Sequence, residues 1–172
     1  MTKILIRNAE VKDALGIATV HVKMWQKAYK CQVPDAYLNS MSIDERAKVW
    51  EEMLRKPKLD THIFVAESDG ILVGWIQGGK NRDTDVESDV GELGGIYVHP
   101  HWQGKGVGTK MINFFLEKLR VEGYTKATLW VLGTNLQTRS WYESRGWRAE
   151  GKTKIEPREG FELHEVRYTI DL

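Results

Sequence analysis

Residues 90–109, VGELGGIYVHPHWQGKGVGT, constrain this chain more than any other stretch. An apolar strand pattern near 91–98 empties through Pro100 into a glycine-rich turn. That turn opens a helix from about Gly106 to Glu122, on which Val107, Met111, Ile112, Phe115, Leu116 and Leu119 share one apolar face. The turn Gln103-Gly104-Lys105-Gly106-Val107-Gly108-Thr109 presents successive backbone N–H groups with little side-chain bulk at a helix N-terminus. Unpaired donors and the helix dipole both favour an anion there. The order strand, glycine turn, helix therefore predicts a pyrophosphate seat.

Glycine spacing removes two familiar phosphate loops. A nucleoside-triphosphate loop needs G-x-x-x-x-G-K-[ST], but Gly106 follows Gly104-Lys105, and His99 occupies the place of the first glycine. A dinucleotide fingerprint needs G-x-G-x-x-G, but Thr109 follows Gly104-x-Gly106 and Met111 follows Gly106-x-Gly108. No early βαβ unit precedes the turn either. What remains is Gln103-x-x-Gly106-x-Gly108. Downstream stands Asn135-Leu-Gln-Thr-Arg-Ser-Trp-Tyr142-Glu-Ser-Arg-Gly146-Trp147. On a helix the seven-residue step places Asn135 and Tyr142 on one face, roughly 10 Å apart along the axis. Gly146 fits a left-handed C-cap that releases a strand beginning at Trp147.

These two motifs, in this order, resemble the GNAT superfamily of acyl-CoA-dependent N-acetyltransferases. The family pattern is Arg or Gln, two residues, Gly, one residue, Gly or Ala, and later an Asn, an aromatic hydroxyl and a Gly-aromatic pair. Gln103 stands where Arg is commoner, and Trp147 where Phe is usual. The resemblance implies an α+β fold of three-layer α/β/α type, with a mixed, mostly antiparallel sheet of about seven strands flanked by about four helices. Strands four and five splay apart, and acetyl-CoA lies in the opening. It also implies that Gln103, Gly104, Lys105, Gly106, Val107, Gly108 and Thr109 hold the pyrophosphate, with Lys110 and Arg139 near the phosphates. Ile96, Tyr97 and Val98 line the pantetheine arm, together with Asn135 and Tyr142.

The surrounding pattern supplies the rest of such a fold. Ile4-Leu5-Ile6 reads as a first strand, and a helix with Leu15, Ile17, Ala18, Val22, Trp25 and Tyr29 begins at Asp13. Pro34 closes the connection after it. Ser42-x-x-Glu45 is a capping box for a second helix that ends before Pro57. Two strands flank the hairpin signal Ser68-Asp69-Gly70. Residues 81–89 read as a mobile loop whose charges are solvated. A strand over 127–131 and closing strands over 147–154 and 162–171 complete the chain. In the last, Leu163, Glu165, Arg167 and Thr169 alternate with His164, Val166, Tyr168 and Ile170.

At 172 residues the chain is expected to form one domain, 1–172, large enough for a core without staples. Lys+Arg 25 against Asp+Glu 24 gives a net charge of +1, so no global field argues for nucleic acid or an anionic membrane. Cys31 is the one cysteine, which excludes an internal disulfide. No apolar run reaches the length of a membrane span or signal peptide, and a cytoplasmic protein is the simplest expectation. A homodimer is left open.

Acyl transfer to an amine poses three requirements. A primary amine is mostly protonated at neutral pH and needs a base. By its place relative to the turn, Glu92 matches the strand position from which family members supply a carboxylate. The oxygen that gains charge needs a donor: Gly94-Gly95 predicts a bulge that aims amides into the cleft, and the resemblance assigns that of Ile96. The departing thiolate needs a proton, for which Tyr142 is the family-matching phenol. Transfer is then direct, in a ternary complex, without a metal. The His99-Pro100-His101 pair lacks partners for one. The expected acceptor is a small amine, polyamine, amino acid or peptide amine, with Trp25, Tyr29, Tyr37, Trp75 and the Pro157–Gly160 loop as candidates to receive it. A binding module that keeps the seat without catalysis is the alternative.

Overall fold

The computed structural model describes residues 3–172. Seven strands form one sheet in the order β1-β2-β3-β4-β5-β7-β6. They are β1 (Ile4–Asn8), β2 (Thr61–Ser68), β3 (Ile71–Lys80), β4 (Val90–Val98), β5 (Lys126–Leu132), β6 (Arg148–Arg158) and β7 (Phe161–Asp171). Every neighbouring pair is antiparallel except β4 and β5. The helices are α1 (Ala14–Ala28), α2 (Asp35–Ser40), α3 (Ile43–Arg55), α4 (Val107–Val121) and α5 (Leu136–Glu143). The expected α+β layers are present, with one more helix than the pattern indicated. Pro34, read as the end of a connection, is instead the N-cap of α2, a six-residue helix too short for periodicity to announce.

Local chemistry sets these boundaries. Ser42 Oγ accepts from the Glu45 N–H at 3.2 Å, which caps α3 without the reciprocal bond of a full capping box. Asp69 and Gly70 take φ of 50° and 78°, the left-handed pair of a tight hairpin turn between β2 and β3. Gly146, at φ 87°, ends α5 with the Trp147 N–H reaching back to the Tyr142 carbonyl at 3.3 Å.

The two sheet faces carry separate cores. On one, the whole predicted face of α4 is buried against Phe64, Val73, Ile76, Leu93 and Leu129, each large side chain worth about 1.5–3 kcal/mol of transfer free energy. On the other, α1 and α3 cover Val65 and Trp75, with Ile17, Val20 and Trp50 between them. A third cluster joins Val33 and Leu38 to Leu132 of β5 and Leu163 of β7. No helix of the described residues is long and apolar enough to cross a membrane.

The parallel pairing of β4 with β5 covers only Val90–Leu93 against Lys126–Leu129. Both strands continue past it, β4 to Val98 and β5 to Leu132, without pairing to each other. The separation begins at a bulge: Gly78 of β3 stands opposite Leu93 and Gln77 opposite Gly95, so Gly94 is the extra residue. A bulged strand bends and twists more sharply, and here it bends away from its parallel neighbour.

Candidate active site

Strand β4 enters the site with one edge free. The His99 N–H donates to the Val73 carbonyl at 2.8 Å, and Tyr97 and Gly95 stand opposite Trp75 and Gln77. In an antiparallel ladder, bonded residues alternate with residues whose polar groups point the other way. Ile96 and Val98 therefore turn N–H and C=O into the splay. On the far side, the Gly133 N–H donates to His164 at 2.8 Å. The same alternation aims the backbones of Trp130 and Leu132 into the gap.

Beyond β4 comes a 3-10 turn, Pro100–Trp102. His99 Nδ1 accepts from the His101 N–H at 3.3 Å, so one of the two histidines is occupied in capping. Gly104 and Gly106 then take φ of 73° and 78°, a conformation that opens α4 only at the cost of strain for other residues. Gly106 is the N-cap and brings no side-chain cap. Among the described residues, no N–H from Gln103 to Thr109 donates a hydrogen bond within the chain; the first to do so is Lys110, to the Gly106 carbonyl at 3.0 Å. The donors of Val107, Gly108 and Thr109 lie in the first turn, at the positive end of a fifteen-residue helix.

Side chains around the turn differ in part from expectation. Gln103 leans onto α1, its amide 3.4 Å from Met24 Sδ and its oxygen accepting from Lys27 at 2.6 Å. Lys105 lies over the Trp102 ring at 4.7 Å. Arg139, expected near the phosphates, is committed elsewhere: it donates to Tyr168 Oη at 3.0 Å and to the Gly133 carbonyl at 2.8 Å. Arg145 stands by the turn instead, donating to Thr109 Oγ1 at 2.8 Å and stacked 4.1 Å over Trp141. Gly108 faces that same indole: an added Cβ would lie 3.3 Å from it.

Asn135 is the N-cap of α5 and not a residue of its face. Its Oδ1 accepts from the Thr138 N–H at 3.2 Å, which leaves its amide nitrogen to donate elsewhere. Tyr142, in the last turn of α5, is buried between Trp141 and Trp147, with ring centroids at 5.1 and 5.8 Å. Burial, and secondarily Tyr97, pushes its phenol above the ordinary range. It is a protonated donor at neutral pH.

Glu92 is buried one pair before the end of the parallel ladder, opposite Thr128. Both its oxygens are engaged by Arg82: Nη2 at 2.6 Å, Nε at 2.9 Å and the backbone N–H at 3.1 Å. Its Oε1 accepts a single bond and keeps acceptor capacity beside Arg82. Arg82 belongs to the 81–89 segment, whose charges stay largely exposed as expected but also clasp other strands. Asp83 accepts from Trp130 Nε1 at 2.9 Å and from Arg167 at 3.1 Å. Asp85 forms two bonds with Arg167, at 2.7 and 3.1 Å, and meets Lys152 at 3.3 Å. Sequence pattern missed this because each partner lies far along the chain.

An aromatic wall from the end of α1 and from α2 packs beside Tyr97 of β4 and over Leu132 and Leu163. Trp25 donates from Nε1 to Tyr97 Oη at 3.2 Å and meets Tyr29 edge-on at 4.7 Å; Tyr37 packs against Trp25 and Phe161. Burial, then Tyr97, raises the Tyr29 phenol well above its usual range. Trp75 does not belong to this wall. It is 1% exposed beneath α1 and α3, a core residue out of reach of any substrate. Opposite the wall, Glu165 of β7 is a carboxylate that the sequence reading left as one member of an alternating strand.

Residues 22–147 match the Acetyltransferase (GNAT) family. The chain belongs to that family. It is 30% identical over 133 residues to an uncharacterized N-acetyltransferase, YuaI, of Bacillus subtilis, covering 77% of this chain and 73% of that one. It is 34% identical over 144 residues to an uncharacterized N-acetyltransferase of Archaeoglobus fulgidus, covering 83% and 92%. Among solved structures, the fold is similar to that of the PaiA N-acetyltransferase from Thermoplasma acidophilum in complex with coenzyme A. The TM-score is 0.75 at 21% identity, with 99% of each chain covered.

Proposed function

We propose that this GNAT protein moves an acetyl group from acetyl-CoA directly to a primary amine while both substrates are bound. The observation that carries the reading is the run of unengaged amides from Gln103 to Thr109 placed beside the unpaired edge of Ile96 and Val98. The first suits a diphosphate, and the second suits an extended amide-bearing chain lying as an added strand. Coenzyme A joins both in one molecule, and the Thermoplasma relative of like fold was solved with it. Bound there, acetyl-CoA supplies a thioester carbonyl as the electrophile.

The chain's own groups do the remaining work. The amides of the turn and the Arg145 guanidinium beside Thr109 hold the phosphates. The Ile96 N–H, fixed in a strand, donates toward the carbonyl oxygen as it gains charge, at no reorganisation cost. The Asn135 amide donates to the polar arm. Tyr142, kept protonated by burial, gives a proton to the departing sulfur. The aromatic wall of Trp25, Tyr29 and Tyr37 receives the acceptor, through cation–π attraction while the amine is still charged.

Thiol release from acetyl-CoA over a panel of polyamines, amino acids and peptide N-termini tests this reading, with the acetylated product identified by mass. Turnover with at least one amine, and its loss in Tyr142→Phe, supports it. Saturable acetyl-CoA binding without turnover on any amine refutes it in favour of a binding module.

A further inference from the structure

Charge is unevenly laid on this protein. Residues 14–34 and 93–116 contain no Asp or Glu, in a chain with Asp+Glu 24 against Lys+Arg 25. The first stretch is α1 and the connection to α2; the second runs from the middle of β4 through the glycine turn into α4. The fold brings them together. Gln103 reaches both Met24 and Lys27 of α1. Burial, then Lys23, then His101 lower the His99 imidazole, which puts Lys23 beside the end of β4. One surface thus carries Lys23 and Lys27, four residues apart on one face of α1, Lys105 in the turn and Lys110 in the first turn of α4. All four are exposed.

Nothing on that surface neutralises them. Among the described residues, the ion-paired lysines are Lys12, Lys118, Lys152 and Lys154, none of which lies here. Lys30, further along α1, shares a groove with Asp35 and stands outside the patch. Lys27 is also held in place: its ammonium donates to the Gln103 oxygen at 2.6 Å, so a neutral side chain fixes it at the rim of the turn without cancelling its charge. Gln103 brings no charge of its own where Arg is commoner, and α1 supplies one instead. Like charges gathered without carboxylates add their fields instead of cancelling them, and an arriving polyanion relieves their mutual repulsion.

Building on the acetyl-CoA reading of the turn, we propose that Lys23 and Lys27 of α1 form a capture surface for the cofactor. They draw its phosphates to the rim and raise the rate of encounter, while the amides of the turn hold the diphosphate once it is bound. The ligand class is a polyanion with phosphates at one end and an uncharged arm at the other. The 3′-phosphate of acetyl-CoA alone carries about −1.5 to −2 charges at neutral pH, and the diphosphate adds to it. Such a molecule arrives with its phosphates leading, which leaves the arm to settle along the β4 edge.

The test measures association and dissociation rate constants for acetyl-CoA by stopped-flow tryptophan fluorescence, since Trp102 and Trp141 stand at the turn. Ionic strength runs from about 0.02 to about 0.5 M. Wild type is compared with Lys23→Gln/Lys27→Gln, Lys23→Arg/Lys27→Arg and Lys80→Gln/Lys126→Gln. The last pair lies at the opposite end of β4, beside Gly91 and Val90. Lys23→Gln/Lys27→Gln is expected to associate about tenfold more slowly at the lowest ionic strength and within about twofold of wild type at the highest. Its dissociation rate stays within about twofold throughout. The arginine variant keeps the wild-type association rate, and so does Lys80→Gln/Lys126→Gln, which has the same net charge as the slowed variant. With 3′-dephospho-acetyl-CoA, a less charged probe, the slowing shrinks to about threefold. An unchanged association rate in Lys23→Gln/Lys27→Gln, a loss of affinity carried by dissociation, or equal slowing in Lys80→Gln/Lys126→Gln overturns this proposal alone. Absence of saturable acetyl-CoA binding by wild type overturns the cofactor reading and this proposal with it.

Discussion

His21 couples the stability of the α1 layer to pH. Its imidazole is packed among aromatic rings, stacked on Tyr97 with centroids 5.5 Å apart and planes at 10°, with Trp25, Trp50 and Trp75 at 5.9, 6.2 and 5.5 Å. Its Nδ1 is buried without a partner. Burial, with a smaller contribution from Arg46, lowers its pKa from 6.5 to about 4. The folded state thus holds the ring neutral, and the unfolded chain binds a proton more readily. Stability from this residue is fully present above the unfolded value of 6.5 and is lost as pH falls toward 4. With those two values, moving from about pH 7.5 to about pH 5 removes about 2 kcal/mol. For a chain of this length that corresponds to a fall in Tm of about 4–8 °C. Other groups titrate over the same range, so the measurement is a difference. Urea unfolding of wild type and His21→Leu is followed by tryptophan fluorescence at both pH values, and wild type should lose about 2 kcal/mol more than the variant. Equal losses in the two proteins would show that the ring is either solvated or charged in the fold, and would refute the reasoning.

Tyr142→Phe should lower turnover about 100-fold with little change in Tm, because no described residue pairs with the hydroxyl that is removed; a comparable loss of acetyl-CoA affinity or stability would assign the phenol a packing role instead. Gly78→Ala should destabilise by about 3 kcal/mol or more, since an added Cβ would fall 2.1 Å from the Glu92 carbonyl and 2.5 Å from Phe115 Cζ beside the Gly94 bulge; a urea midpoint near that of wild type would contradict the bulge geometry. Arg167→Met should cost about 2–3 kcal/mol, less than a fully buried pair because the carboxylates are partly exposed, and should open residues 81–89 to limited proteolysis. A clasp held by Arg82 and Glu92 alone would leave cleavage unchanged.

The sequence carried the parts of this protein in which cause and effect are neighbours along the chain. The apolar face of α4, the Ser42 cap, the Asp69-Gly70 turn and the Gly146 terminus each follow from residues within a turn or two of one another, and each stands where the pattern places it. The splay was also foreshadowed, because Gly94-Gly95 inside an apolar strand predicts a bulge and the bulge at Gly94 is what bends β4. Pairings between distant segments were not legible. Arg82 meets Glu92, Arg167 gathers Asp83 and Asp85 from more than eighty residues away, and Arg139 turns to Tyr168. Trp75 looked like a candidate for a substrate wall because an indole serves a groove or a core equally well; only the covering helices decide between them.

Amide chemical shifts of the folded protein, followed during titration with coenzyme A, test the central claim most directly. The account predicts that the largest changes fall on Gly104, Lys105, Gly106, Val107, Gly108 and Thr109, and on Ile96 and Val98 across the splay, all saturating at one ligand concentration. Saturable binding that leaves the turn and the β4 edge unmoved while shifting amides elsewhere would contradict it.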